Sequence, residues 1–172
     1  MFVSTRKIIY IAMFSAIGIV LPQAFHLFGS QTAGQMFLPI HLPVFIGAML
    51  LGPLAGIIIA FVSLSVGVLL GMPPLLFAYF MFFEMVTYAA VTGLVYYKLQ
   101  WNVYVSLLLG KISGMLMALI VINIALALFT LAVPPTYGSL LMFSIGIPGI
   151  IIQFIVVPIV VIRLQGVIDH DA

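Results

Sequence analysis

The sequence predicts an all-α membrane protein: six transmembrane helices in one compact bundle, with both termini cytoplasmic. Two observations carry that expectation. First, the chain of 172 residues is 66% hydrophobic, with a mean hydropathy of +1.44, a composition that belongs to polytopic membrane proteins. Second, the few charges sit at the ends and breaks of long apolar runs. Arg6 and Lys7 precede the first run, Lys98 occupies a short polar break, and Arg163, Asp169 and Asp171 follow or close the last. Only Glu84 and Lys111 lie deep inside apolar stretches. Residues 1–172 therefore read as a single integral membrane domain, with no polar stretch long enough for a soluble one.

Six apolar segments set the elements in order. The first runs from Ile8 to about Phe28, and the second from about Pro39 to Leu51. Gly52-Pro53 separates the second from the third, about Leu54 to Leu70. The fourth runs from about Leu75 to Tyr97, the fifth from Val103 to about Leu131, and the sixth from about Leu140 to Leu164. A full span needs roughly 20 residues, so the second is short. Short or Pro-interrupted helices persist in a membrane when protein encloses them, which favours a bundle with an internal cavity. The positive-inside rule then orients the chain. With six spans, Arg6, Lys7, Lys98 and Arg163 share one side, the cytoplasm. The opposite loops, Gly29–Leu38, Gly71–Pro74 and Ala132–Ser139, carry no Lys or Arg. The first of these is the longest and is polar. It reads either as a lid or as an ordinary connector.

Several function classes fall away. No Gly-rich loop of the Lys-Ser/Thr type is present, so energy other than an ion gradient comes from a partner. No cysteine is available for disulfide or thiol chemistry. His26, His41 and His170 do not lie at metal-ligand spacing, and no Ser/His/Asp order suggests a nucleophile. The expectation is a protein that is not an enzyme, needs no metal or cofactor, and has membrane lipid but no nucleic acid among its partners. The N-terminal apolar run is too long for a cleavable signal and lacks its small-residue cleavage site.

Intramembrane charges are functional candidates, because burying one in hydrocarbon costs about 2.5 kcal/mol or more. At 1.5 Å per residue, Glu84 lies roughly 15 Å from the outer end of its helix and Lys111 roughly 12 Å from the inner end of its own. In a core about 30 Å thick these depths nearly coincide. The two read either as a structural ion pair or as groups facing a ligand. Other polar groups gather toward the outside: Gln23 and His26, Gln31 and Gln35, His41, Tyr79, and Tyr88 on the Glu84 face. Asn123 falls in the outer third of the fifth helix. The predicted ligand set is Glu84, His41, Asn123, Lys111, Tyr88, Gln35, Tyr79 and Gln23. On the first helix, Ala12 and Ala16 sit four apart in AMFSA. Such a surface lets another helix approach closely, inside the bundle or from a partner.

These features resemble the substrate-binding S component of energy-coupling factor (ECF) vitamin transporters, over essentially the whole length. The stretches LPIHLPVFIGAMLLGPLAG and GMPPLLFAYFMFFEMVTYAAVTGLVY look like one subgroup, which also includes predicted pantothenate components. The resemblance implies a water-soluble vitamin bound near the outer face, under the first outer loop, in a multi-pass protein of a prokaryotic plasma membrane. It further implies that Ala12 and Ala16 dock on a transmembrane T component, with two ABC-type ATPases supplying energy. Ligand identity does not follow from fold. An apposed Glu and Lys leave a site near neutral, and tyrosines offer stacking faces, which suits pyridoxine or hydroxymethylpyrimidine. Pantothenate is the alternative and needs Lys111 unpaired. A structural subunit that binds no ligand is another.

Overall fold

Hydrophobicity on all sides of a helix requires protein or lipid on all sides, and the shortest apolar segment meets that requirement at the centre of the bundle. The computed structural model describes residues 4–28, 34, 36–71, 73–128 and 144–170. The principal helices are α1 (Thr5–Phe28), α2 (His41–Leu51), α3 (Pro53–Leu69), α4 (Leu75–Gly93), α5 (Val103–Leu128) and α6 (Ile147–His170). A π-helical turn, Leu94–Lys98, continues α4. Four stretches are long and apolar enough to cross a membrane: Thr5–Phe25, Phe77–Lys98, Val103–Ala127 and Ile147–Gly166. The 11-residue α2 and the 17-residue α3 are shorter. Every residue of α2 except Leu42 is buried. Helices α1, α3, α4 and α6 all pack against it, while α5 lies outside α4.

The boundaries differ from the sequence expectation where polar residues extend a helix. Helix α1 starts at Thr5 rather than Ile8, because Arg6 and Lys7 are good helix formers. Helix α6 runs on to His170 rather than stopping at Leu164: the apolar pattern marks contact with hydrocarbon or core, not the end of the hydrogen-bonded ladder. Pro39 and Ile40 form a turn, so α2 begins at His41. Pro53 is the first residue of α3, where its missing N–H costs nothing. Gly52 between them has φ 95°, a conformation that glycine reaches without a Cβ penalty. The α2–α3 reversal is therefore tight. The expected ends at Leu131 and Leu140 lie outside the described residues. Ser144 and Ile145 are helical, and a turn at Gly146 precedes α6.

Contacts fix which ends lie together. Lys7 Nζ sits 5.7 Å from the Tyr97 ring centroid, and Tyr96 donates a 2.6 Å hydrogen bond to Gln165 Oε1. The start of α1, the π turn and the latter part of α6 thus share one end, called here the Lys98 end. At the opposite end the Phe25 and Phe37 rings lie 5.5 Å apart, and Gly149 abuts the Met36 and Phe37 carbonyls. Helix α1 is peripheral. Phe14, Ser15 and Gly18 face inward, and Ser63 on α3 donates to the Ser15 carbonyl at 3.2 Å. Ala12, Met13, Ala16 and Ile17 are exposed.

Packing around α2 sets a stability prediction. Ala48 is fully buried and meets Gly56 of α3 closely. Ala48→Leu should lower stability by about 1–3 kcal/mol through overpacking, seen as a lower midpoint of thermal unfolding in detergent. Leu54→Ala, at an exposed site, should change it by less than about 0.5 kcal/mol.

Candidate functional site

Three helices meet at one carboxylate. Glu84 projects from the middle of α4 into the bundle, because Glu84, Met85 and Tyr88 form the buried face of that helix while Tyr79 and Phe83 face outward. Lys111 of α5 donates a hydrogen bond to Glu84 Oε1 at 3.2 Å. His41, the first residue of α2, holds Nε2 3.7 Å from the same oxygen. That is a charge contact if the imidazole is protonated, and too long for a hydrogen bond. All three side chains are buried.

The approach of α5 to α4 comes from two glycines. Gly110 and Gly114 flank Lys111 one turn apart and face α4. A Cβ at Gly114 would stand 3.0 Å from the Glu84 carbonyl oxygen and 3.0 Å from Tyr88 Cδ1, and one at Gly110 would collide with the Thr92 hydroxyl. Small residues at this spacing let two backbones come together without hydrophobic drive. With the backbones so close, the long Lys111 side chain reaches Glu84 rather than extending toward an interface.

An aromatic stack closes the site on the α2 side. The Phe45 ring lies 4.3 Å from Tyr88, and His41 lies 5.3 Å from it, both stacked. His41 and Phe45 are one turn apart, so one face of α2 covers the phenol. Lys111 Nζ is 5.9 Å from the Tyr88 ring centroid, within cation–π range. Several buried polar atoms are under-satisfied. Both ring nitrogens of His41 and the Tyr88 hydroxyl at the site, the Thr92 hydroxyl one turn beyond Tyr88, and both amide atoms of Gln153 on α6 have no hydrogen-bond partner in the protein. Buried polar groups in native proteins are normally paired, so these groups have unspent capacity for donors and acceptors. Among the described residues, no three His, Cys, Asp or Glu side chains are grouped for a metal ion.

The sequence-predicted residues divide accordingly. Glu84, Lys111, His41 and Tyr88 come together. Asn123 does not: Val121, Ile122 and Ala125 form the buried face of α5, which turns Asn123 outward. Its amide donates to the Leu119 carbonyl one turn back, at 2.7 Å. Tyr79 is exposed and packs edge-on against Phe83 at 5.8 Å. Gln23 is half-buried on α1, with Nε2 unpartnered. Gln35, Gln31 and the His26 side chain lie outside the described residues. Sequence reading missed Phe45, Thr92, Gln153 and the two glycines. The four-residue spacing around Lys111 in Gly-Lys-Ile-Ser-Gly was a visible signal, and so was a lone glutamine in the isoleucine-rich run of α6. Nothing in the sequence distinguishes Phe45 from other core phenylalanines.

A family model described as "ECF transporter, substrate-specific component" matches residues 6–161. No curated protein and no solved structure matches the chain.

The ion pair sets the second prediction. Removing one partner leaves the other charge buried and unpaired, at a cost of about 3–5 kcal/mol. Glu84→Gln and Lys111→Met should each lower the unfolding midpoint strongly. The double variant should recover most of the loss. A double variant as unstable as the sum of the two would show that the charges are not coupled.

Proposed function

This chain belongs to the family of substrate-specific components of ECF transporters, and on that premise we propose that it captures pyridoxine or hydroxymethylpyrimidine at the outer face of a prokaryotic plasma membrane. Members of the family are membrane-embedded substrate-binding subunits of transporters, not enzymes. The proposed orientation puts Arg6, Lys7, Lys98 and Arg163 in the cytoplasm. The His41 end of α2 then faces outward, and the vitamin reaches the cluster from that side.

One observation carries the ligand class: Glu84 and Lys111 are hydrogen-bonded to each other at 3.2 Å. A paired carboxylate and ammonium present little net charge. They suit a neutral or weakly basic polar ring that hydrogen-bonds to both and stacks on an aromatic face, as the Tyr88 ring provides. Pantothenate, an acyclic anion, needs the ammonium released from Glu84 and is disfavoured by that pairing. The same pairing favours a second reading, a subunit in which the charges only hold helices together. The unpartnered atoms of His41, Tyr88 and Gln153 speak for the ligand, because a purely structural site gains nothing by leaving them unmatched.

The proposed partners are a transmembrane T component and two ABC-type ATPases. Ala12 and Ala16 are the proposed docking surface. They lie on the exposed side of α1, and α1 packs mainly on α2 and α3 rather than on α4 and α5, which carry the ion pair, so an effect on docking separates from an effect on binding.

Two measurements test this function. Mass spectrometry of small molecules released from the purified protein, followed by titration calorimetry, should identify a pyridine or pyrimidine vitamin and no pantothenate. Tight binding of pantothenate would reverse the ligand assignment, and no ligand at all would favour the structural subunit. For coupling, Ala12→Leu and Ala16→Leu should abolish uptake and co-purification with the T component and ATPases, while the calorimetric affinity stays within about twofold. Uptake unaffected by either change would remove the docking role, since a branched side chain there separates helices that must touch in lipid.

A further inference from the structure

Gln153 and His41 are the two described interior side chains with two unpartnered polar atoms each. Gln153 is 1% exposed, and neither its Nε2 nor its Oε1 has a hydrogen-bond partner in the protein. Leaving both the donor and the acceptor of a buried carboxamide unmatched is costly on two counts. Its place along the bundle follows from its neighbours in sequence. Gly149, Gln153, Val157 and Val161 are all buried, and their four-residue spacing puts them on one face of α6. That face lies against α2, the helix that α6 contacts most. Gly149 abuts the Met36 and Phe37 carbonyls, just before the turn into α2. Farther along, Gln165 accepts the hydrogen bond from Tyr96. So α6 runs beside α2 in the same direction, and Gln153, roughly 6 Å beyond Gly149, lies at the level of the first turn of α2, where His41 sits.

We infer that Gln153 is the specificity-determining residue of this site and that its carboxamide reads a 4-aminopyrimidine edge. The inference rests on the proposal that the cluster binds a vitamin ring. A carboxamide presents a donor and an acceptor side by side in one plane. Its complement is a ring nitrogen beside an exocyclic amino group, the pairing by which Gln and Asn read adenine. In hydroxymethylpyrimidine, Nε2–H donates to the ring nitrogen, and the neighbouring amino group donates to Oε1. In pyridoxine the ring nitrogen lies between a methyl-bearing carbon and an unsubstituted C–H, with no amino group beside it, so one amide atom stays unmatched. A buried group without its partner is what rejects such an analogue. Of the two proposed vitamins, Gln153 selects the pyrimidine.

The test uses the purified full-length protein and three probes in titration calorimetry: hydroxymethylpyrimidine, the same molecule without its 4-amino group, and pyridoxine. The wild-type protein should bind the aminopyrimidine about tenfold to a hundredfold more tightly than either of the others, the loss expected for one unmatched buried hydrogen-bonding group. Gln153→Met, similar in length and apolar, should erase the difference between the first two probes. If that variant does not fold, the wild-type comparison of the first two probes decides the matter. Equal wild-type affinity for those two, or discrimination that survives in folded Gln153→Met, overturns the role of Gln153. Pyridoxine bound more tightly than the aminopyrimidine, with no change in Gln153→Met, overturns it while leaving the vitamin-ring reading intact. Binding of none of the three overturns both.

Discussion

A carboxylate and an ammonium brought out of water each lose several kcal/mol of hydration, on the order of what a whole domain has to spare. Glu84 and Lys111 make that exchange deep in a bundle, with the ammonium donating to the carboxylate at 3.2 Å. Much of the neighbouring structure follows from keeping that distance short. Gly110 and Gly114 remove the side chains that would hold α5 away from α4. The Tyr88 ring, 5.9 Å from the ammonium, adds a weakly negative face. His41 brings a third polar group to the same oxygen, at 3.7 Å.

The pair does not satisfy its surroundings. Two hydrogen-bonding groups on His41, one each on Tyr88 and Thr92, and two on Gln153 remain unmatched inside the protein. A core designed only for stability would replace them with apolar residues, since a half-satisfied polar network is worse than none. The unmatched groups on His41 and Tyr88 belong to the aromatic stack with Phe45, and they are the observation on which the proposed ligand site rests. The central helix α2 matters here because it is short. Eleven residues cover roughly 16 Å, about half of a hydrocarbon core, and its first residue, His41, is buried inside the protein.

Much of this was legible in the sequence. Long apolar runs with charges at their borders gave the order of the helices. Gly52-Pro53 gave the break between α2 and α3, and matched depths in the membrane suggested that Glu84 and Lys111 meet. Asn123 and Tyr79 show what depth alone lacks. Depth is a coordinate along a helix, and whether a side chain points inward depends on rotation about its axis. In α5 nearly every residue is apolar, so no polar face reveals that rotation before packing is known. Phe45 and Gln153 escaped for a related reason. Their importance lies in contacts and register between elements far apart in sequence, set by how α2 sits among α1, α3, α4 and α6.

The central claim is that the buried pair serves a ligand as well as the fold. The most direct measurement is ligand protection of the charge-free double variant Glu84→Gln/Lys111→Met, read as the rise in thermal unfolding midpoint on adding saturating vitamin. A ligand present at a hundred times its dissociation constant stabilises a protein by about 2.7 kcal/mol. The wild-type protein should show a shift of that order, whereas the double variant should unfold cooperatively and show almost none. An equal ligand-induced shift in both proteins would contradict the account and reduce Glu84 and Lys111 to a clasp between two helices.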